Sequence, residues 1–183
     1  MKPAEPTNNL SLLPIEGKVY ALVVGALIII LTTTVPYLTL LNVFLFAGIF
    51  LAGAVSLYRT ILRFQVKLTF REAFVLGAMA GFVGGAVSEV ITYFLMTLLH
   101  YRPGTESLSL IVDWVLEMAK EQPELAEQAQ ALVAAEKLAL APVSMSFKDI
   151  LISIFFSGSF YAPIAGLGGA WAVRRLKRQA AKG

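Results

Sequence analysis

Long apolar runs separated by short polar stretches dominate the pattern of hydrophobic and polar positions. Residues 20–58 contain no charged residue, and one helix over that range would be roughly 58 Å long, nearly twice the ~30 Å hydrocarbon core of a bilayer. We expect the run to fold back at VPYLTLLN, because Pro36 pushes Val35 out of helical geometry and Asn42 can cap the returning helix. This predicts spans one and two over about residues 19–35 and 42–58.

Two further spans are predicted from helix-start signals. Thr69 and Glu72 have capping-box spacing ahead of span three, which we place at about residues 70–99. Ser146 and Asp149 have the same spacing ahead of span four, at about residues 150–173.

The polar segment between spans three and four predicts amphipathic helices over about residues 107–141, divided at Pro123. The fold class is therefore an all-α integral membrane protein with a four-helix transmembrane domain over residues 19–173. Flanking tails are expected over residues 1–18 and 174–183. The N-terminal tail lacks the pattern of a signal peptide, so we expect it to be retained.

Composition supports a membrane protein. Hydrophobic residues make up 57% of the chain and charged residues 15%, whereas soluble domains carry about 25% charged residues. The net charge of +3 does not indicate nucleic-acid binding, because the charges lie at the ends of apolar runs. The absence of cysteine excludes disulfides, thiolate catalysis and cysteine-ligated metal centres.

The distribution of Lys and Arg predicts the orientation. Residues 101–146 contain three bases against seven acids, namely Arg102, Lys120 and Lys137 against Glu106, Asp113, Glu117, Glu121, Glu124, Glu127 and Glu136. The other polar segments are rich in Lys and Arg. By the positive-inside rule, both termini and the central loop are cytoplasmic and the helical insert is extracytoplasmic.

Small residues recur every four positions in spans three and four, and this spacing places them on one helix face. They are Ala73, Gly77, Gly81 and Gly85 in span three, and Gly158, Ala162, Gly166 and Ala170 in span four. Because lipid supplies no hydrophobic drive for helix association, close backbone contact through small residues is expected to do so. The pattern predicts helix-packing faces, either inside the bundle or between subunits.

Glu89 is the next step of the span-three stripe and lies slightly outside the expected midplane. An acidic side chain at a helix centre costs about 2.5–3.5 kcal/mol on insertion scales, so Glu89 should face protein or water. Candidate polar neighbours are Ser88, Thr92, Ser153, Ser157 and the threonines at 32–34. One hypothesis is cation binding, proton relay or substrate contact. The other is a polar tie between helices.

Several further residues are candidates at the membrane surface. Arg59, Arg63, Lys67 and Arg71 are spaced by four, which predicts one basic helical face that either binds lipid headgroups or only sets topology. Trp114 belongs to an apolar stripe suited to the headgroup layer. Pro163 predicts a kink or local unwinding in span four.

Catalytic and cofactor signals are sparse. His100 is the single histidine and could ligate a haem or a chlorophyll, but a lone histidine at an interface is usually an ordinary boundary side chain. No phosphate loop, metal-ligand cluster, nucleophile–base pair or dinucleotide fingerprint occurs in the sequence. We therefore expect no enzyme, no metal and no other cofactor.

The stretch LTFREAFVLGAMAGFVGGAVSEVITYFLM, the acidic helical insert and the final span ending in RRLKR resemble a family of small bacterial four-span inner-membrane proteins of unknown function. The shared features are a Phe-x-x-Ala-Phe-x-x-Gly start to span three and a charged insert before span four. The resemblance implies the same topology and a bacterial cytoplasmic-membrane location. It implies no catalytic or ligand residue.

The leading functional hypothesis is a non-catalytic accessory subunit of a larger membrane complex, of a respiratory or photosynthetic kind, that docks through its small-residue faces. The alternative is a small transporter or ion- or proton-conducting protein that uses Glu89. A third hypothesis is a homodimeric lipid-interacting protein. Expected partners are membrane lipids and either other membrane subunits or further copies of this chain.

Overall fold

The computed structural model describes residues 13–141 and 146–181. The predicted tails over residues 1–18 and 174–183, and the end of the polar insert, therefore lie partly outside the described residues. The helices are α1 Ile15–Thr34, α2 Leu40–Val43, α3 Ala47–Phe64, α4 Phe70–Leu98, α5 Thr105–Glu121, α6 Ala126–Leu140 and α7 Phe147–Ala180.

Four of these helices, α1, α3, α4 and α7, are long and apolar enough to cross a membrane. The described residues contain no β-strand. The prediction of an all-helical protein with four candidate membrane-spanning helices is therefore confirmed. The helices α4 and α7 have 29 and 34 residues, which corresponds to about 43 and 51 Å. Both are longer than the ~30 Å hydrocarbon core and extend beyond α1 and α3.

The break between α1 and α3 occurs where Pro36 predicts it. Helix α1 ends at Thr34, and Val35 has extended geometry with ψ 132°. Helix α3 begins later than expected, at Ala47 rather than near residue 42, because α2 and the left-handed residues Leu45 and Phe46 precede it in the link.

Asn42 caps α3 from a distance rather than from the N-cap position. Its Oδ1 accepts a hydrogen bond from the backbone N–H of Ile49 at 3.2 Å, and its Nδ2 donates to the Thr32 carbonyl at 2.8 Å. One amide thus joins the end of α1 to the first turn of α3. A Cβ at Gly48 would lie 2.6 Å from the Asn42 Oδ1, so the glycine leaves room for this side chain.

The helix starts predicted from capping boxes are confirmed. At α4 the Thr69 and Glu72 side chains bond reciprocally to each other's backbone N–H, and Ser146 and Asp149 do the same at α7. Helix α7 continues through Pro163, so local unwinding, one of the two distortions predicted there, does not occur.

The chain enters α1 and leaves α7 at the same end of the bundle, here called the terminal end. A cluster of buried apolar residues closes that end: Leu13, Ala21, Leu57, Leu68, Ala73, Leu76, Ala172 and Val173. The opposite end, here called the hairpin end, carries the 35–46 link and the α5–α6 hairpin. Hydroxyl groups of Thr39 and Ser107 hydrogen-bond there and tie the hairpin to the link.

The glycine stripe of α4 packs against α7, which runs antiparallel to it. Cβ atoms at Gly77, Gly81 and Gly85 would lie 2.6, 2.6 and 2.8 Å from carbonyl oxygens of α7, those of Ala165, Tyr161 and Ser157 respectively. Gly166 and Gly158 of α7 face α4 in return, against Phe74 and Phe82. The two stripes therefore meet within one chain.

Helix α3 crosses α7 through a second pair of glycines. A Cβ at Gly53 would overlap the Ala165 carbonyl, and one at Gly168 would overlap the Phe50 carbonyl. Helix α1 approaches α4 where Gly25 meets Ala80 and where Gly84 meets Ala26 and Ile29. Small residues thus line three of the contacts between helices, and large apolar side chains are left on the outer surface.

We expect Gly53→Ala to destabilise the protein by at least about 1–3 kcal/mol, the usual cost of overpacking. The added methyl would overlap a backbone carbonyl, which cannot rotate aside as a flexible side chain can. The measurement is the free energy of unfolding during a titration with denaturing detergent in mixed micelles.

The matched control for this substitution is Val55→Ile, which also enlarges a side chain of α3 but at a position 36% exposed on the bundle surface. We expect that variant to change the stability by less than about 0.5 kcal/mol. Equal stabilities of the two variants would contradict the close contact between α3 and α7.

Candidate functional site

Glu89 lies on α4 one turn beyond Gly85 and faces α7. The Ser157 hydroxyl donates to Oε1 of Glu89 at 2.6 Å, and the Ser153 hydroxyl donates to Oε2 at 3.0 Å. The two serines are one turn apart on α7, so each reaches one oxygen of the same half-buried carboxyl group. Both carboxyl oxygens therefore accept a hydrogen bond from the neighbouring helix.

Gly85 explains why short serine side chains can reach Glu89. A Cβ at position 85 would lie 2.8 Å from the Ser157 carbonyl oxygen and 2.9 Å from the Tyr161 ring. With a larger residue there, α7 would have to move away from α4. The stripe and the carboxylate are thus parts of one arrangement, in which close helix contact brings the hydrogen-bond donors into range.

A second hydrogen bond, next to the first, joins α4 to α1. The hydroxyls of Ser88 and Thr33 lie 2.6 Å apart, and the Thr33 hydroxyl also donates to the Ile29 carbonyl at 2.7 Å. Together with the Asn42 bridge between α1 and α3, these contacts form a polar belt of Thr33, Asn42, Ser88, Glu89, Ser153 and Ser157. The belt connects all four long helices.

The polar belt lies toward the hairpin end rather than near the middle of the bundle. Thr33 is one residue before the end of α1 and pairs with Ser88. Glu89 is about 28 Å along α4 from Phe70 at 1.5 Å per residue. The Thr33–Ser88 pairing places Glu89 level with the last turn of α1, beyond the middle of that helix.

A small cavity of about 20 Å³ borders Glu89. Its lining residues are Glu89, Thr92, Tyr93, Met96, Ile150 and Ser153. A space of this size holds about one water molecule. Among the described residues, no group of three or more His, Asp or Glu side chains could hold a metal ion. The site can thus fix a carboxyl group and one water between α4 and α7.

The four bases expected on one helical face do not share a helix, so that prediction is wrong. Helix α3 ends at Phe64, and residues 65–69 form a link before α4 begins at Phe70. Arg59 and Arg63 therefore lie on α3, Lys67 in the link and Arg71 on α4. The left-handed Gln65 that ends α3 carries no sequence signal that the spacing analysis could use.

The Arg63 guanidinium lies 4.7 Å from the centre of the Tyr20 ring, a cation–π contact suited to a membrane surface. On α5, Trp114 is 63% exposed. His100 is exposed and left-handed, with φ 51°, and directly follows the end of α4. The left-handed backbone at His100 ends the helical path of the chain, and the Tyr101 N–H donates to the Leu95 carbonyl at 3.1 Å.

Two contacts were not anticipated from the sequence. The Thr39–Ser107 bond joins two polar segments that are far apart in the chain, and nothing in either local pattern indicates the pairing. The Asn42 bridge could have been found only in part, since the sequence indicates a cap but not its second bond to Thr32.

Comparisons with protein-family models, with curated proteins and with solved structures found no match to this chain.

We expect Glu89 and Ser157 to show a coupling energy of about 0.5–1.7 kcal/mol in a double-mutant cycle, the range measured for hydrogen bonds between membrane helices. The variants are Glu89→Ala, Ser157→Ala and the double substitution, and the measurement is the free energy of unfolding in mixed micelles. Thr60→Ala is the control partner, because its hydroxyl bonds to the Ser56 carbonyl within α3. The changes in the free energy of unfolding caused by Thr60→Ala and by Glu89→Ala should be additive.

The variant Glu89→Gln separates the polar tie from ion or proton conduction. An amide retains an oxygen that can accept a serine hydroxyl, so a tie predicts little loss of stability. Conduction through the carboxyl group predicts that the wild type passes ions or protons in proteoliposomes and that Glu89→Gln does not. The polar tie would be contradicted by a Glu89–Ser157 coupling energy below about 0.2 kcal/mol together with a loss of ion or proton flux in Glu89→Gln.

Proposed function

We propose that the protein is a non-catalytic accessory subunit of a larger membrane complex, located in a bacterial cytoplasmic membrane with both termini in the cytoplasm. The four-helix bundle anchors the chain, and the α5–α6 hairpin contacts the partner. The proposal rests chiefly on one observation, an exposed apolar patch that the hairpin carries outside the four long helices.

This hairpin patch consists of Leu110, Trp114 and Leu140 of the hairpin together with Tyr37 of the adjoining 35–46 link. Their exposed fractions are 47%, 63%, 58% and 61%. Tyr37, Leu110 and Leu140 line one shallow hollow of about 370 Å³, and Trp114 lies one turn beyond Leu110 on α5. Aromatic and aliphatic side chains around a hollow are typical anchors of protein interfaces.

Charge favours a protein partner over the lipid surface for this patch. Glu106 and Asp113 line the same hollow, and residues 101–146 carry seven acids against three bases. Peripheral membrane helices are rich in Lys and Arg, and this segment is not. The patch suits a partner that inserts an apolar side chain and surrounds it with basic groups.

Helices of the same chain cover the small-residue faces, so these faces are not available for docking. The stripes of α4 and α7 face each other, and Gly48, Gly25 and Gly53 also meet neighbouring helices of the same chain. These faces are therefore not open to another subunit. For this reason we assign partner contact to the hairpin patch and not to the glycine stripes.

We expect a cysteine introduced at position 130 to react from outside intact cells and one at position 179 to react only after the membrane is opened. Gln130 and Gln179 are both exposed, and the chain has no native cysteine to interfere. The measurement is labelling by a membrane-impermeant maleimide. Reaction of Gln179→Cys in intact cells would contradict cytoplasmic termini.

We expect Trp114→Ala and Leu140→Ala to release co-purifying membrane proteins, with affinity losses of about 2 kcal/mol or roughly thirtyfold, as for interface hot spots. The measurement is quantitative mass spectrometry after affinity purification in mild detergent. The control is Leu167→Ala on α7, which removes the same side chain at the same exposed fraction, 58%, from the bundle surface.

Two results would overturn this assignment. One is a wild-type protein that purifies as a clean monomer without companions. The other is an equal loss of companions in Leu140→Ala and Leu167→Ala, which would place the contact on the spans or in lipid.

A further inference from the structure

A groove of about 570 Å³ runs between α1 and α4 at the terminal end. Its apolar walls are formed by Leu13, Leu22, Leu68, Val75, Leu76 and Met79. The volume lies within the range of about 300–1,000 Å³ that is usual for ligand sites. The polar residues lining the groove belong to the first turns of α1 and α4, and Leu22 and Met79 lie deeper along the helices.

The groove lies on the terminal-end side of a close contact between α1 and α4. Gly25 meets Ala80 so closely that a Cβ at position 25 would lie 2.7 Å from the Ala80 Cβ. Nearer the terminal end, Leu22 of α1 and Leu76 of α4 line the groove. The groove is thus closed at the Gly25–Ala80 contact and open toward the terminal end, where buried Leu13 and Leu68 form part of its wall.

Two cations, Lys18 and Arg71, line the polar end of the groove. Among the described residues, no carboxylate oxygen lies within 4.0 Å of the Lys18 or Arg71 side-chain nitrogens. Neither groove cation is therefore held in an ion pair by a described residue. Glu72 also lines the groove, and one of its oxygens accepts from the Thr69 N–H and hydroxyl at 2.8 Å each. The polar end of the groove therefore carries two positive charges and one negative charge.

We propose that this groove binds one anionic phospholipid. The phosphate lies between Lys18 and Arg71, and an acyl chain lies along Leu22, Val75 and Met79. The division of the groove into a cationic mouth and an apolar interior matches an amphiphile with a negative head. A guanidinium and an ammonium are the two side-chain groups that bind phosphate oxygens best.

The location of the groove agrees with this ligand. The terminal end faces the cytoplasm in the orientation that we propose, and anionic lipids are concentrated in the cytoplasmic leaflet, where each basic residue attracts them by about 1 kcal/mol. Val75 and Met79 are 47% and 48% exposed, so a lipid can enter sideways from the bilayer. The site does not depend on docking at the hairpin patch.

The test uses the full-length protein in neutral detergent with phosphatidylglycerol and phosphatidylcholine in equal amounts, and native mass spectrometry counts bound lipids. We expect the wild type to retain phosphatidylglycerol preferentially. Lys18→Ala and Arg71→Ala should each lower that preference about fivefold, and the double variant about 25-fold, at about 1 kcal/mol per cation. Soluble glycerol phosphate in excess should not displace the lipid, because it lacks the acyl chain.

Two control variants separate a built groove from general surface charge. Arg174→Ala combined with Arg178→Ala removes two cations from the terminal end without touching the groove, and it should leave the preference unchanged. Met79→Trp fills the apolar interior without changing charge and should release the lipid. The proposal fails if the Lys18/Arg71 double variant keeps its preference, if the Arg174/Arg178 control loses it, or if Met79→Trp has no effect.

Discussion

Along much of their shared length, α4 and α7 touch through backbone atoms, and this contact limits where the other helices can lie. Glycines at positions 77, 81 and 85 bring carbonyl oxygens of α7 to within 2.6–2.8 Å of where a Cβ would stand. In lipid, apolar surface gains nothing by leaving the solvent, so contact of this kind and interhelical hydrogen bonds must hold the bundle together. Helix α3 packs against the same helix, because Gly53 of α3 fits against Ala165 of α7.

The polar belt is a consequence of that close contact rather than an independent feature. Serine side chains are short, and only helices that are nearly touching allow Ser153 and Ser157 to reach both oxygens of Glu89. An unpartnered polar group costs several kcal/mol in hydrocarbon. Within the described part of the chain, no buried side-chain nitrogen or oxygen lacks a hydrogen-bond partner. The belt therefore satisfies its own polar groups and fixes the register of the helices at one end.

Sequence reasoning works here where a signal is local. Three signals act within a few positions: Pro36, the two capping boxes and the spacing of the small residues. At those places the structure has the end of α1, two helix starts and a set of contacts between helices. Features that depend on distant partners could not be predicted in this way. Helix α3 ends at Phe64 before the left-handed Gln65, which no local pattern marks. The Asn42 bridge and the groove between α1 and α4 each depend on the distance between two helices. That distance follows from packing of the whole bundle and not from any one segment.

The same packing bears on whether Glu89 could conduct ions. A pathway from Glu89 to the terminal end would have to follow about 28 Å of α4. On one side of that length, α4 meets the α7 backbone at Gly85, Gly81 and Gly77, and on another it meets α1 at Gly84 and Ala80. A cavity of about 20 Å³ beside Glu89 holds about one water and does not continue along these contacts. Conduction along α4 would therefore require the helices to separate and lose the contacts that position the serines. A fixed carboxylate tie requires no such movement, and for that reason we favour it.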